Sequence, residues 1–170
     1  AVSYGKEVLR LPDGLVLRAV SIAAVVEFVT IPLFGKLSDR WSRRHAYIAG
    51  CLFLIVFALP YYFLLDTRNP TLIILATVLG LAGGHALLYS VQASWIPELF
   101  GTRLRCSGAS IGYQLAVPLA GGVAPLIAVS LVEWFPGHYW PLAAYIILNS
   151  LISLACVLGL AETSRKDISG

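Results

Sequence analysis

The sequence predicts an all-α membrane protein. Apolar residues make up 58% of its 170 residues and charged residues only 12%, and the apolar positions gather into runs long enough to cross a bilayer. The charged share is about half that of a soluble domain, too little to cover a water-facing surface around a single core. Lipid removes the need for that cover. Helices crossing the hydrocarbon layer need about 20 apolar residues, and these runs lack the alternation of a barrel strand.

Taken in order, the candidate spans are residues 15–37, 46–65, 71–96, 108–132 and 139–160. The first carries Glu27 near its middle and Arg18 within a turn of its edge, where the long side chain either snorkels to headgroups or holds an anion. The second is apolar almost throughout. The third follows the turn signal Asn69-Pro70 and contains Gly80, Gly84 and His85; the two glycines make a small-xxx-small surface suited to close packing. The fourth contains Pro118, Gly121, Gly122 and Pro125, which are expected to interrupt the helix and expose backbone groups. The last follows Pro136-Gly137 and holds Tyr145 and Asn149, read as packing residues.

The connections are short, and their charge is uneven. Lys36, Arg40, Arg43, Arg44, Arg103, Arg105, Arg165 and Lys166 fall at alternate connections and the tail, while the opposite side of the bundle has Arg68. By the positive-inside rule the Arg-rich loops and the C-terminus are expected in the cytoplasm, although Lys6, Arg10 and Arg18 lie on the other side. A net charge of +3 spread over such loops suits anionic headgroups and does not point to nucleic acid. Cys51, Cys106 and Cys156 show no metal-ligand spacing and are read as packing residues without a disulfide. The chain begins at Ala1, contains no methionine, and its residues 1–5 read as the tail of a helix. An incomplete protein is therefore expected.

Two connections carry recognisable patterns. Gly35-Lys36-Leu37-Ser38-Asp39-Arg40-Trp41-Ser42-Arg43-Arg44 joins the first two spans. Gly35 is expected to let a neighbouring helix approach, Asp39 to accept from backbone N–H groups or arginines, and the arginines to pair with acids on adjacent loops. Pro97-Glu98-Leu99-Phe100-Gly101-Thr102-Arg103-Leu104-Arg105 makes a tight reversal at the same face, and Ala161-Glu162-Thr163-Ser164-Arg165 follows the last span.

In this order the three stretches resemble the loop signatures of the major facilitator superfamily: G-x-L-x-D-R-x-G-R-R, with Ser42 at the second glycine; P-E-L-F-x-T-R-x-R; and P-E-T-x-R, with Ala161 at the proline. Residues 108–114 and 121–128 look like the metabolite:proton symporter branch, and Gly84-His85 with Tyr89 and Gln92 look like its shikimate-type subgroup. The resemblance implies the C-terminal six-helix half of a carrier. Residues 1–5 would end helix seven, and the five spans would be helices eight to twelve. The implied partners are a small organic acid or zwitterion with protons, the bilayer, and the N-terminal half of the same transporter.

Ionisable residues inside a bilayer are functional candidates by default. Glu27 either faces a transport cavity, binding substrate or a proton, or bonds a neighbouring helix for packing. His85, Tyr89 and Gln92 fall on one helical face and offer an imidazole, a phenol and an amide. They suit a small polar acid, or else form a seam between helices. Tyr113 and Gln114 open the fourth span and join the candidate substrate and proton site. A cytoplasmic gating network is assigned to Gly35, Asp39, Arg40, Arg44, Glu98, Arg103, Arg105 and Glu162. No nucleophile–base pair or metal-ligand cluster is visible, so no enzyme, cofactor or metal is expected. The alternative to a proton-coupled carrier is a non-transporting sensor or structural fragment that keeps the fold.

Overall fold

The structure, a computed structural model, describes residues 9, 11–98, 100 and 105–159, without the side chains of residues 13, 105, 119 and 120. Arg103 and Glu162 of the expected gate, and the stub at residues 1–5, lie outside the described residues. Arg105 starts a helix, and its side chain is likewise outside them.

Every described element is helical. In chain order they are α1 (Asp13–Trp41), α2 (Arg43–Asp66), α3 (Pro70–Val78), a π-helical segment (Leu79–His85), α4 (Ala86–Glu98), α5 (Arg105–Ala116), a second π segment (Val117–Gly122), α6 (Val123–Trp134) and α7 (Trp140–Gly159). Among the described residues four helices are long and apolar enough to cross a membrane: Gly14–Trp41, Arg43–Asp66, Pro70–Glu98 and Trp140–Gly159. The fourth expected span falls on α5, the second π segment and α6. There Pro118, Gly121 and Gly122 widen the helix to i→i+5 bonding instead of breaking it.

The turns follow from local chemistry. Ser42 separates α1 from α2 in an extended conformation (φ 164°), which any residue adopts, so the serine replaces glycine there without strain. Its hydroxyl accepts from the His45 N–H and caps α2. Asn69 caps α3 through its side-chain oxygen, 3.0 Å from the Thr71 nitrogen, with Pro70 at the first helical position. Between α6 and α7, Phe135-Pro136-Gly137-His138 closes a turn in which the His138 N–H donates to the Phe135 carbonyl, and Gly137 supplies the required positive φ of 78°.

Two apolar clusters hold α1–α4 and α7 together. At one end Val16, Ala19, Ala58, Tyr62, Ile73 and Leu142 are buried together; at the Arg-rich end Ala46, Val91, Trp95 and Val157 are. Between them α2 and the first π segment approach closely over glycine. A Cβ on Gly84 would lie 2.5 Å from Leu54 Cδ2, and one on Gly50 would lie 2.7 Å from Leu88 Cδ2. Large apolar side chains such as Val25, Phe28 and Val56 remain exposed, as they do when the surroundings are lipid or protein. All three cysteines are free; Cys51 is buried as a packing residue, whereas Cys106 and Cys156 are exposed among the described residues. A thiol on an apolar helix face needs no burial when the solvent is hydrocarbon.

Candidate functional site

The first candidate site lies mid-bundle, where α1 meets the π segment. Glu27 projects from α1, and its Oε1 lies 2.5 Å from Nδ1 of His85, the last residue of the segment. Glu27 is mostly covered (16% exposed) while His85 is half-open (56%), so the pair is anchored on one side and accessible on the other. A bond this short between a carboxylate and an imidazole is of the charge-assisted kind, and the pair can hold or release one proton. The His85 ring stacks on Tyr89, with centroids 5.8 Å apart and planes 20° apart.

The other expected site residues are distributed around this pair. Tyr113 on α5 is half-buried and within electrostatic reach of Tyr89 and Tyr47. Gln114 is exposed on the same helix. Gln92 lies below Tyr89 in a separate cleft of about 210 Å³ with Tyr47, Trp95 and Ser153, where α7 closes over α2. The structure therefore joins Glu27, His85 and Tyr89, places Tyr113 beside them, and sets Gln92 apart. A larger cavity of about 480 Å³ begins at His85 and runs back between the helices, walled by Phe57, Tyr61 and Tyr62.

The second candidate site is the Arg-rich end, where the central residue is Arg43. Its guanidinium forks onto Glu98, with Nη2 to Oε1 at 2.8 Å and Nε to Oε2 at 3.3 Å. Nη1 reaches Asp39 Oδ1 at 2.6 Å and donates to Ser94 Oγ at 2.9 Å and Ser38 Oγ at 3.3 Å. One planar cation thus ties the end of α1 to the end of α4 from the first turn of α2. The expected network named Asp39 and Glu98 but put Arg40 and Arg44 in this role. Arg40 is exposed, and Arg44 Nη2 donates to the Leu158 carbonyl at 2.6 Å, capping the end of α7. Composition cannot separate Arg43 from Arg44, but the i, i+4 relation of Asp39 and Arg43 is a usable signal.

Gly35 is a further correction. A Cβ there would meet nothing within 4 Å among the described residues, so no described helix approaches it. It borders a groove of about 410 Å³ between α1 and α4, with Pro32, Asp39, Arg43, Ser90 and Ser94. α1 and α4 diverge here, so the missing side chain leaves space where a contact was expected.

Comparison with known proteins decides the family. Residues 11–168 match the Major Facilitator Superfamily. The chain belongs to that superfamily, and it is an integral membrane protein of a transport family. It is 32% identical over 165 residues to a shikimate transporter of Escherichia coli, covering 97% of this chain and 38% of that protein. A citrate-proton symporter of Klebsiella pneumoniae is 30% identical over 149 residues, covering 85% of this chain and 34% of its own length. A proline/betaine transporter of Escherichia coli is 31% identical over 158 residues, covering 93% and 31% respectively. The chain therefore spans little more than a third of the length of the curated relatives it matches. No solved structure matches it.

Proposed function

We propose that this chain is the C-terminal half of a proton-coupled secondary transporter for a small organic acid or zwitterion in the bacterial inner membrane. The observation that carries the reading is the Glu27–His85 pair. It is a titratable couple near the middle of two helices long and apolar enough to cross a membrane, and it is open on its His85 side. Its resting place in hydrocarbon would be costly; facing a cavity between two transporter halves, it is solvated and can exchange a proton. The names of the relatives, which include a proton symporter and carriers of acids and betaines, support the same class.

On this reading α1, α2, α3–α4, α5–α6 and α7 are helices eight to twelve, and the C-terminus is cytoplasmic. Substrate binds between the halves, where His85, Tyr89, Tyr113 and Gln114 supply an imidazole, two phenols and an amide. A substrate carboxylate pairs with the protonated His85, so the favoured loading state carries one proton together with one acid. The Arg43–Asp39–Glu98 cluster then stabilises one orientation of the alternating-access cycle and loosens in the other.

Uptake by the full-length transporter in proteoliposomes tests the proposal. An imposed pH gradient is expected to drive accumulation of one of shikimate, citrate, proline or betaine, and Glu27→Gln is expected to reduce it or shift its pH dependence. Absence of gradient-driven uptake of any of these rejects symport. Unchanged uptake by the variant at normal expression assigns Glu27 to packing.

A further inference from the structure

The Glu27–His85 pair and the Arg43 cluster lie on the same two helices. α1 and the α3–α4 rod run parallel, and the pair joins them at Glu27 and His85 while the cluster joins them at Asp39 and Glu98. At 1.5 Å per residue the two stations are roughly 18–20 Å apart on each helix. Between them lies the 410 Å³ groove lined by Ile31, Pro32, Gly35, Ser90, Ala93 and Ser94. That volume is room for on the order of ten waters.

The lining is mixed: Ile31, Pro32 and Ala93 are apolar, and the groups that can hold water are the serines of α4 and the backbone of α1. On α1, Pro32 has no N–H to offer the carbonyl of Phe28, the residue beside Glu27, so that oxygen can accept from water at the groove's inner end. Gly35 adds no side chain, and nothing stands within 4 Å of its missing Cβ. On α4 the Ser90 hydroxyl donates to the Leu87 carbonyl, and Ser94 donates back to the Ser90 and Val91 carbonyls. Donation of this kind leaves hydroxyl lone pairs available as acceptors. At the far end Asp39 is 59% exposed, open to solvent. Among the described residues the charged groups around that end are Lys36, Arg40 and Asp39 of α1, Arg43 and Arg44 of α2, and Glu98 of α4. Arg43 itself is balanced by the two carboxylates it touches.

We propose that this groove is the proton-release path of the transporter, a water-filled half-channel from the Glu27–His85 pair to Asp39. The inference rests on the symport reading above. The protonated pair gives one proton to the adjacent water, and each water passes one on as it receives one. The Asp39 carboxylate takes the last and yields it to the cytoplasmic solvent. The pair returns to carboxylate and neutral imidazole, with no bond formed or broken except those to the moving proton. The substrate need not follow this route, because His85 borders a separate cavity of about 480 Å³ and does not line the groove.

Ile31→Phe and Ala93→Leu plug the groove from opposite walls. Both residues line the groove, and Ala93 is exposed among the described residues. In proteoliposomes of the full-length transporter, substrate-induced proton flux is read with a pH dye, and substrate exchange is read at equal pH on both sides. Exchange needs no net proton release and also reports folding. The expected result is a fall of about tenfold or more in proton flux for both variants, with exchange within about threefold of the parent. Loss of flux and exchange together in both variants would overturn the proposal, since the groove would then serve the substrate or the fold. Unchanged flux in both would also overturn it. A parent protein that exchanges substrate without moving protons would instead bring down the symport reading itself.

Discussion

Replacing Arg43 and Glu98 singly and together isolates the clasp at the Arg-rich end. The two side chains are 13% and 18% exposed, so the pair sits between a surface bridge and a buried one. Exposed pairs contribute about 0.2–1 kcal/mol, whereas removing one partner of a fully buried pair costs about 3–5 kcal/mol. The fork places two charge-assisted bonds on Glu98, each worth about 1.5–3 kcal/mol in favourable settings. The two single substitutions are not equivalent. Arg43→Ala removes the fork on Glu98, the bridge to Asp39 and the donor to Ser94 at once, so about 3 kcal/mol is expected. Glu98→Ala leaves the guanidinium with Asp39, Ser94 and Ser38, so about 1–1.5 kcal/mol is expected. The double variant should fall near Arg43→Ala alone, giving a coupling energy of about 1–1.5 kcal/mol. Denaturant unfolding of the full-length transporter in detergent micelles measures all three. A coupling energy below about 0.5 kcal/mol, or equal costs for the two single variants, would refute the account of Arg43 as the hub.

Two further outcomes follow from the same geometry. Gly84→Val should destabilise the protein by about 1–3 kcal/mol through overpacking, because its Cβ alone would lie 2.5 Å from Leu54 Cδ2 and 2.8 Å from Phe53 Cδ1. Gly121→Ala, with nothing within 4 Å among the described residues, is the control and should leave the thermal midpoint nearly unchanged; equal losses in both would discard the close-approach argument. Asp39→Asn should slow turnover more than it weakens substrate binding, read as a fall in kcat with little change in KM for uptake. An unaltered kcat would remove Asp39 from the gate.

The helical class and the places of the turns were legible because they rest on local chemistry. Asn69-Pro70 and Pro136-Gly137 announce a cap and a turn whatever packs around them, and the structure has both. The two π segments were not legible. Both contain the run Leu-Ala-Gly-Gly, at residues 81–84 and 119–122, but small residues permit a widened helix without dictating one. The choice of Arg43 over Arg44 was hidden for a different reason. It depends on which way α2 leaves the break at Ser42, and that direction is set by packing against α4 and α7. Gly35 was misread because its pattern gives the need for a small residue but not whether a helix or open space uses it. Glu27 and His85 stood out as costly residues in apolar runs, yet nothing local says that residues so far apart in sequence meet.

Their meeting has a mechanical consequence. α1 and the α3–α4 rod run parallel, and each carries one member of the mid-bundle pair and one carboxylate of the end cluster. A tilt of α1 relative to α4 about a point between the stations must lengthen one link as it shortens the other; a slide along the axis must strain both. The glycine floor of the π segment, against which Phe53 and Leu54 pack, ties that rod to α2 as well. Pro32 lies between the two stations on α1 and removes one helical hydrogen bond there, which locates the flexure. On the transport reading, protonation of the Glu27–His85 pair would therefore be felt at Arg43 through the bend of a single helix, without a relay of side chains.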